Sequence, residues 1–422
     1  MTKIIGNKLA GAKWLETKEL KKLFETFLVN GDELKVVGGA PRNHLLERPV
    51  EDIDLATIFT PEEIIKKAKL AGIKTIPTGI EHGTVTVLIN DTTFEITTLR
   101  SDVKTDGRHA TVEFGTSWLE DAKRRDFTIN ALYVLADGTI EDPLGTGLAD
   151  IKTQTVRFIG NAENRIREDY LRSLRYYRFA SHYTKPPFDP LAISATIKLK
   201  EGLRSLSAER IKSELFKILS APEPVEVVTE LYQNGILAAL LGTAPNICAF
   251  IKLVELEKKL NEKANVALQL AVLSTWHEGD VERLTKRFKL SKTETKKIEL
   301  KVKADLEKNS LITSLNTTES EGRFLYNKYL FILGKADYSS LLKLLYALGY
   351  CSLNLDAVIE KIKSIEADEV KELPVKGADI IKKGVPPGPE VGKILEHLTM
   401  EWLKSDGKAS SEELLALILK AK

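Results

Sequence analysis

The hydrophobic pattern changes its period once along this chain, near residue 162. Before that point, short β-branched runs alternate with amphipathic stretches. Lys18–Phe27 has helical spacing, and Leu34–Val37 is a short apolar strand running into Gly38. Ile53–Thr57 and Val156–Ile159 predict further strands, and Pro61–Ala71 predicts a helix with proline in its first turn. Thr84–Ile89 and Thr93–Leu99 alternate apolar and polar positions around Asn90-Asp91, which predicts a hairpin. Ser117–Arg124 and Asp126–Leu132 read as helices. After Ala162 only helical patterns follow: Asn164–Ser181, Pro190–Ile197, Ala208–Leu219, Pro224–Asn234 and Ala264–His277. Pro186-Pro187 and Pro222–Pro224 break them, and the Gly- and Pro-rich stretch Leu373–Pro389 marks a linker or a structured elbow. The class predicted is α+β: a head with a small mixed or antiparallel sheet and helices, then a long all-α part.

Length and composition narrow this picture. A chain of 422 residues exceeds one compact core and implies two to four units. Hydrophobic residues at 43% and charged residues at 29% fit a globular protein. The net charge is only +2, so any nucleic-acid surface must be local. Lys286, Arg287, Lys289, Lys292, Lys296, Lys297, Lys301 and Lys303 gather, diluted by Glu282, Glu294, Glu299 and Asp305. That cluster reads either as a solvated helical face or as an RNA surface. Cys248 and Cys351 match no metal or redox spacing; both are expected to be buried, in a reducing compartment. No apolar run reaches the roughly 18 residues that span a bilayer. Lys3, Lys8 and Lys13 are accompanied by Glu16 and Glu19, unlike a targeting peptide, so a cytoplasmic protein is expected.

Candidate chemistry begins at residues 38–54. Gly38 and Gly39 allow backbone N–H groups to approach phosphate oxygens, and Arg42 can fork onto them. Asp52 and Asp54 alternate along the expected strand, so both carboxylates share a face and can hold hard cations such as Mg²⁺. Each half alone is also an ordinary turn; together they point to metal-assisted attack on a phosphate. Glu95 alternates with Phe94 and Ile96, as a solvent-facing residue or as a third carboxylate near the metals. The loop Asp106–His109 is either a moving part or a plain connection. Within Arg124–Leu132, Asp126 can N-cap a helix, and Arg124 and Arg125 beside it can serve phosphates or ribose hydroxyls.

A third cluster recurs every third residue: Asp169, Arg172, Arg175 and Arg178. It is either a salt-bridged helical face or a reader of base edges. A carboxylate only accepts and a guanidinium only donates, so one Asp–Arg pair matches cytosine or adenine and mismatches uracil or guanine. A buried mismatch of that kind is rejected strongly.

These ordered motifs resemble the class II tRNA nucleotidyltransferases, the CCA-adding enzymes. That family lies within the polymerase β-like nucleotidyltransferase superfamily, beside bacterial poly(A) polymerases. The resemblance is dense in residues 34–220, weaker across 225–365, and returns at Leu373–Asp379 and Pro386–Gly392. It implies a seahorse-shaped molecule with a catalytic head (1–157), a base-recognising neck (158–222), an RNA-binding body (223–310) and a tRNA-binding tail (311–422). It also implies roles. Gly39 and Arg42 would contact the triphosphate, and Asp52 and Asp54 would hold two Mg²⁺ ions. Glu95 would assist removal of the primer 3′-OH proton. Arg125 and Asp126 would contact the incoming nucleotide. Asp169 and Arg172 would read the base, with Arg175 and Arg178 on the triphosphate side. Ser207–Ile211 resembles the helix that buttresses this template. The substrates implied are tRNA, CTP and ATP.

Within that clan, poly(A) polymerases carry a Gly-Arg-Arg-Phe-like stretch where this chain has Glu81-His82-Gly83-Thr84-Val85. CC-adding enzymes lack a flexible loop whose place Val103–Phe114 fills. CCA addition is therefore expected, with A addition as the near alternative. A catalytically inactive RNA-binding module is the reading from another class, against which Asp52 and Asp54 stand. Two positions depart from the family pattern: Pro41 replaces the usual Val before the arginine, and Asn43 the usual Asp after it. Activity is expected to survive both.

Overall fold

The computed structural model describes every residue except 1–3, 6–7, 32, 77–78, 81–82, 107–108 and 421–422; at 4–5, 101–106, 109–113 and 419–420 it describes the backbone alone. The chain forms two compact units, Met1–Leu240 and Leu241–Lys422.

A seven-stranded mixed sheet organises the first unit. Its order is Ile140–Glu141, Tyr133–Val134, Leu34–Val37, Asp54–Thr57, Thr92–Thr98, Thr84–Ile89, Lys74–Ile76. Only Asp54–Thr57 and Thr92–Thr98 pair in parallel. Every residue of Leu34–Val37 is buried, Lys35 included, whose ammonium pairs with Glu141 at 2.6 Å. Helices Lys18–Phe27 and Pro61–Leu70 lay Leu20, Leu23, Phe27 and Ile64 against Val36, Leu55 and Ile96. Each such side chain contributes roughly 1.5–3 kcal/mol through burial. Thr60 and Glu63 close a capping box at the start of Pro61–Leu70.

Register places the chemistry. Asp54 is paired opposite Val37 on one side and opposite Glu95 on the other. The turn after Val37, Asp54 and Glu95 therefore lie side by side at one end of the sheet. Asp52 precedes the strand, which starts at Asp54 and not at Ile53.

Several expected elements differ. Asp126–Leu132 is no helix, and Asp126 caps none. Only Thr128–Asn130 forms a 3-10 turn, because the Thr128 N–H bonds to Arg157 O and the Asp126 carbonyl accepts from Ile159 N–H. Val156–Ile159 contributes one bridge, Phe127 to Phe158, in place of a strand. Asn164–Ser181 is two helices, Ala162–Glu168 and Leu171–Tyr183. Asp169 between them is extended, at φ −155°, and its carboxylate accepts from Leu171 N–H at 3.1 Å. That local side-chain bond ends one helix and starts the next. Val103–Phe114 lies in an antiparallel hairpin, Arg100–Asp106 with His109–Phe114; residues 107 and 108 of the Asp106–His109 loop lie outside the described residues.

The second unit is all-α. Ser320–Ala347 leaves helical geometry at Gly334, where φ is 71°. The stretch Leu373–Pro389 is structured: it holds the helix Gly377–Lys382 and sends Val375, Ile380 and Val385 into a core with Leu398, Trp402 and Leu414. Lys286, Lys297, Lys301 and Lys303, half of the basic cluster, are each ion-paired with carboxylates. Cys248 is exposed and Cys351 half-buried, against the expectation that both are buried. No described helix is long and apolar enough to cross a membrane.

Candidate active site

The strand Leu34–Val37 ends in Gly38, whose backbone sits at φ 75° and ψ −111°, a region that excludes side chains. A Cβ at Gly38 would lie 3.7 Å from Arg125 Nη1, and one at Gly39 would lie 3.7 Å from Arg42 Nη2. The two glycines thus seat two guanidinium groups beside the turn. Pro41 falls in the first turn of the helix Gly39–Leu45, where its missing N–H has no intrahelical carbonyl to meet. That departure from the family pattern leaves the turn intact.

The Asp54 carboxylate, at the edge of this turn, makes no ion pair or hydrogen bond with any described residue, and neither do the carboxylates of Asp52 and Glu95. Burial, and then the neighbouring Glu95 and Asp52 carboxylates, raise the Asp54 pKa; Arg125 and Arg42 oppose the rise. Glu95 and Asp52 thus add negative charge around Asp54 that no described basic side chain pairs with.

The guanidinium groups are held from behind. Asp121 is 1% exposed. It accepts from Arg124 Nη2 at 2.6 Å, Arg125 Nη2 at 3.0 Å and the Tyr133 hydroxyl at 2.6 Å. Burial works against its charge, but Arg125 and Arg124 outweigh it and hold its pKa below the usual value. Asp121→Ala is expected to strand both arginines and cost about 3–5 kcal/mol of stability. Urea unfolding checks this; a loss under about 1 kcal/mol would show that the triad is not a unit.

Asp126 is the hub of the opposite wall. It accepts from Arg175 Nε at 2.9 Å and from Asn130 Nδ2 at 3.0 Å. Burial disfavours its carboxylate, yet Arg175 and Asn130 keep its pKa low. Asn130 in turn accepts from Arg42 Nη1 at 2.5 Å. Asp169 pairs with Arg210 at 2.7 Å, not with Arg172. Arg172 pairs with Glu168, which also holds Arg165.

Gly38, Gly39, Arg42, Asp54, Arg125, Asp126, Asp169, Arg172 and Arg175 line one cavity of about 540 Å³. Three expected site residues lie off its wall. Asp52 and Glu95 flank Asp54. Arg178 is turned to Glu214 at 2.8 Å and lies over the Phe179 ring. The sequence reading gave no individual role to Asn130 and Arg210, which line the cavity, and passed over Asp121, which supports it. Asp121 stands three and four residues before Arg124 and Arg125 on a helix, a spacing that signals contact. Nothing local marks Arg210, 41 residues from Asp169.

Comparison with known proteins covers most of the chain. Residues 34–157 match the Poly A polymerase head domain, 188–251 the "Probable RNA and SrmB- binding site of polymerase A", and 258–418 a tRNA nucleotidyltransferase domain 2. CCA tRNA nucleotidyltransferase 1, mitochondrial, of Mus musculus is 36% identical over 96% of this chain and 91% of its own length. The chain belongs to the CCA-adding tRNA nucleotidyltransferases. The CCA-adding enzyme of Levilactobacillus brevis is 32% identical over 94% of this chain and 96% of its own. The crystal structure of the Bacillus stearothermophilus CCA-adding enzyme in complex with CTP superposes with a TM-score of 0.72 at 26% identity, covering 98% of both chains. Nucleotidyltransferases of this family generally use a divalent metal.

Proposed function

We propose that this chain adds C, C and A to the 3′ end of tRNA from CTP and ATP, releasing pyrophosphate. One observation carries the reading: a carboxylate free for a cation (Asp54), triphosphate-type arginines (Arg42, Arg175) and base-edge groups (Asp169, Arg172) line the same cavity. The names of the relatives support it, and so does the CTP in the Bacillus structure.

In this reading Asp52 and Asp54 hold two Mg²⁺ ions. Among the described residues no three carboxylate, imidazole or thiol groups converge on one ion, so nucleotide phosphates complete the donor set, as is usual for Mg²⁺. When bound, the metal supplies Lewis-acid activation of the 3′-hydroxyl and charge neutralisation at the leaving pyrophosphate. Arg42 and Arg175 fix the triphosphate for in-line attack. Glu95, beside Asp54, takes the 3′-OH proton. The 3′ oxygen bonds to the α-phosphorus as the α–β bridging oxygen leaves with pyrophosphate. Arg125 and Asp126 position the nucleotide, Asp169 and Arg172 read its base, and Arg178 backs the triphosphate wall through its neighbours. Residues 1–157, 158–222, 223–310 and 311–422 serve as catalytic head, base-reading neck, RNA-binding body and tRNA-binding tail. The site of action in this reading is the cytoplasm.

Incubating a tRNA transcript lacking its 3′ end with CTP alone, ATP alone and both tests the reading. Two C residues with CTP and CCA with both are expected. Addition of A alone, with CTP never used, would establish the A-adding activity instead.

A further inference from the structure

Arg42 is 8% exposed and carries its charge without a carboxylate partner. Its Nε and Nη2 donate to Asn43 Oδ1 at 3.1 and 2.9 Å, and its Nη1 donates to Asn130 Oδ1 at 2.5 Å. The guanidinium also lies over the rings of Tyr183 and Phe179, with centroids 4.4 and 5.2 Å away. Every one of these partners is uncharged. The acids nearby are committed elsewhere: Asp126 to Arg175, Glu214 to Arg178, and Asp121 to Arg124 and Arg125. Asp54 feels the Arg42 charge but makes no ion pair with it. The N–H donors of Arg42 go to Asn43, Asn130 and Tyr183, and none goes to a carboxylate.

Asn43 is itself fixed. Its Nδ2 donates to Pro49 O at 2.9 Å, and its Oδ1 also accepts from the Tyr183 hydroxyl at 3.1 Å. The amide is thus oriented with its oxygen on Arg42. An aspartate here would offer the same acceptor with a full negative charge. It would form a fork-type ion pair with Arg42.

From this we infer that Asn43 is a neutral clamp. It meets Arg42 with a neutral acceptor where an acid would neutralise it, so the whole positive charge is reserved for the nucleotide triphosphate. Asn43 then sets triphosphate affinity in this chain by its neutrality, while Asn130, Tyr183 and Phe179 hold the guanidinium in place. The inference rests on the reading that Arg42 faces the triphosphate.

Equilibrium binding to the full chain, without tRNA, tests it with three probes: inorganic tripolyphosphate, CTP and ATP in Mg²⁺. Asn43→Asp is expected to weaken all three by one common factor of roughly 5–10, because the contact precedes any base recognition. Asn43→Ala keeps the charge uncompensated and is expected to weaken them less than about twofold. Unchanged affinity in Asn43→Asp overturns the inference. A loss confined to one nucleotide, or an equal loss in both variants, also overturns it. If Asn43→Asp does not fold, a loss above about fivefold in Asn43→Ala overturns it and a smaller one supports it. Failure of the wild-type chain to extend tRNA would sink the CCA-adding reading alone, since the binding arms need no turnover.

Discussion

Asp54→Ala is expected to lower nucleotide incorporation on the order of 10³–10⁴-fold while tRNA affinity stays within about twofold. The reason is positional. Asp54 is the one carboxylate on the cavity wall that no described arginine, lysine or backbone amide engages. Its neighbours along the sheet end are Glu95, by strand register, and Asp52, two residues earlier. A raised pKa means that ionising Asp54 opposes folding near neutral pH when no cation is present. Removing the carboxylate therefore relieves repulsion, and the melting temperature in metal-free buffer should not fall. Loss of turnover without loss of stability or of tRNA binding separates a metal role from a structural one. Primer extension, filter binding and a thermal melt supply the three readings. Equal loss of incorporation and tRNA affinity would sink the assigned metal role.

What was legible in the sequence follows how local each determinant is. Helix Ala208–Leu219 was readable to both ends, because Ser207 caps its start and the apolar spacing runs without conflict to Leu219. The Gly38–Arg42 turn and the Asp54 carboxylate were readable because a strand, a glycine and a charged residue succeed one another within a short stretch. Adjacency of Glu95 to Asp54 was open, since it depends on a parallel pairing across 41 residues that no turn announces. The helix expected over Asp126–Leu132 fails because its backbone groups bond instead to residues 157–159, a tertiary choice that overrides propensity. The break at Asp169 was missed although Asp is a residue whose side chain competes for backbone N–H groups. That miss matters, because it moves Asp169 off the helical stripe of arginines and toward Arg210.

The second large effect is on base choice. Asp169→Ala is expected to raise misincorporation of U and G by about two orders of magnitude relative to C and A. On the proposed reading Asp169 is the acceptor and Arg172 the donor for the base edge; Arg210 holds Asp169 at 2.7 Å and Glu168 holds Arg172. Cytosine and adenine each offer one amino donor beside one ring-nitrogen acceptor, which this pair satisfies. Without Asp169, the two guanidinium groups remain and only donate. Uracil and guanine, which present carbonyl oxygens, then meet donors and are no longer penalised by a buried carboxylate facing an acceptor. Arg210→Ala is the control. It frees Asp169 without changing the donor–acceptor pattern, so KM for CTP and ATP should rise together while selectivity holds. Single-nucleotide extension of a tRNA transcript with each of the four triphosphates measures both. If Asp169→Ala still rejects U and G as the wild type does, base choice lies elsewhere in the cavity and the protein is not its own template.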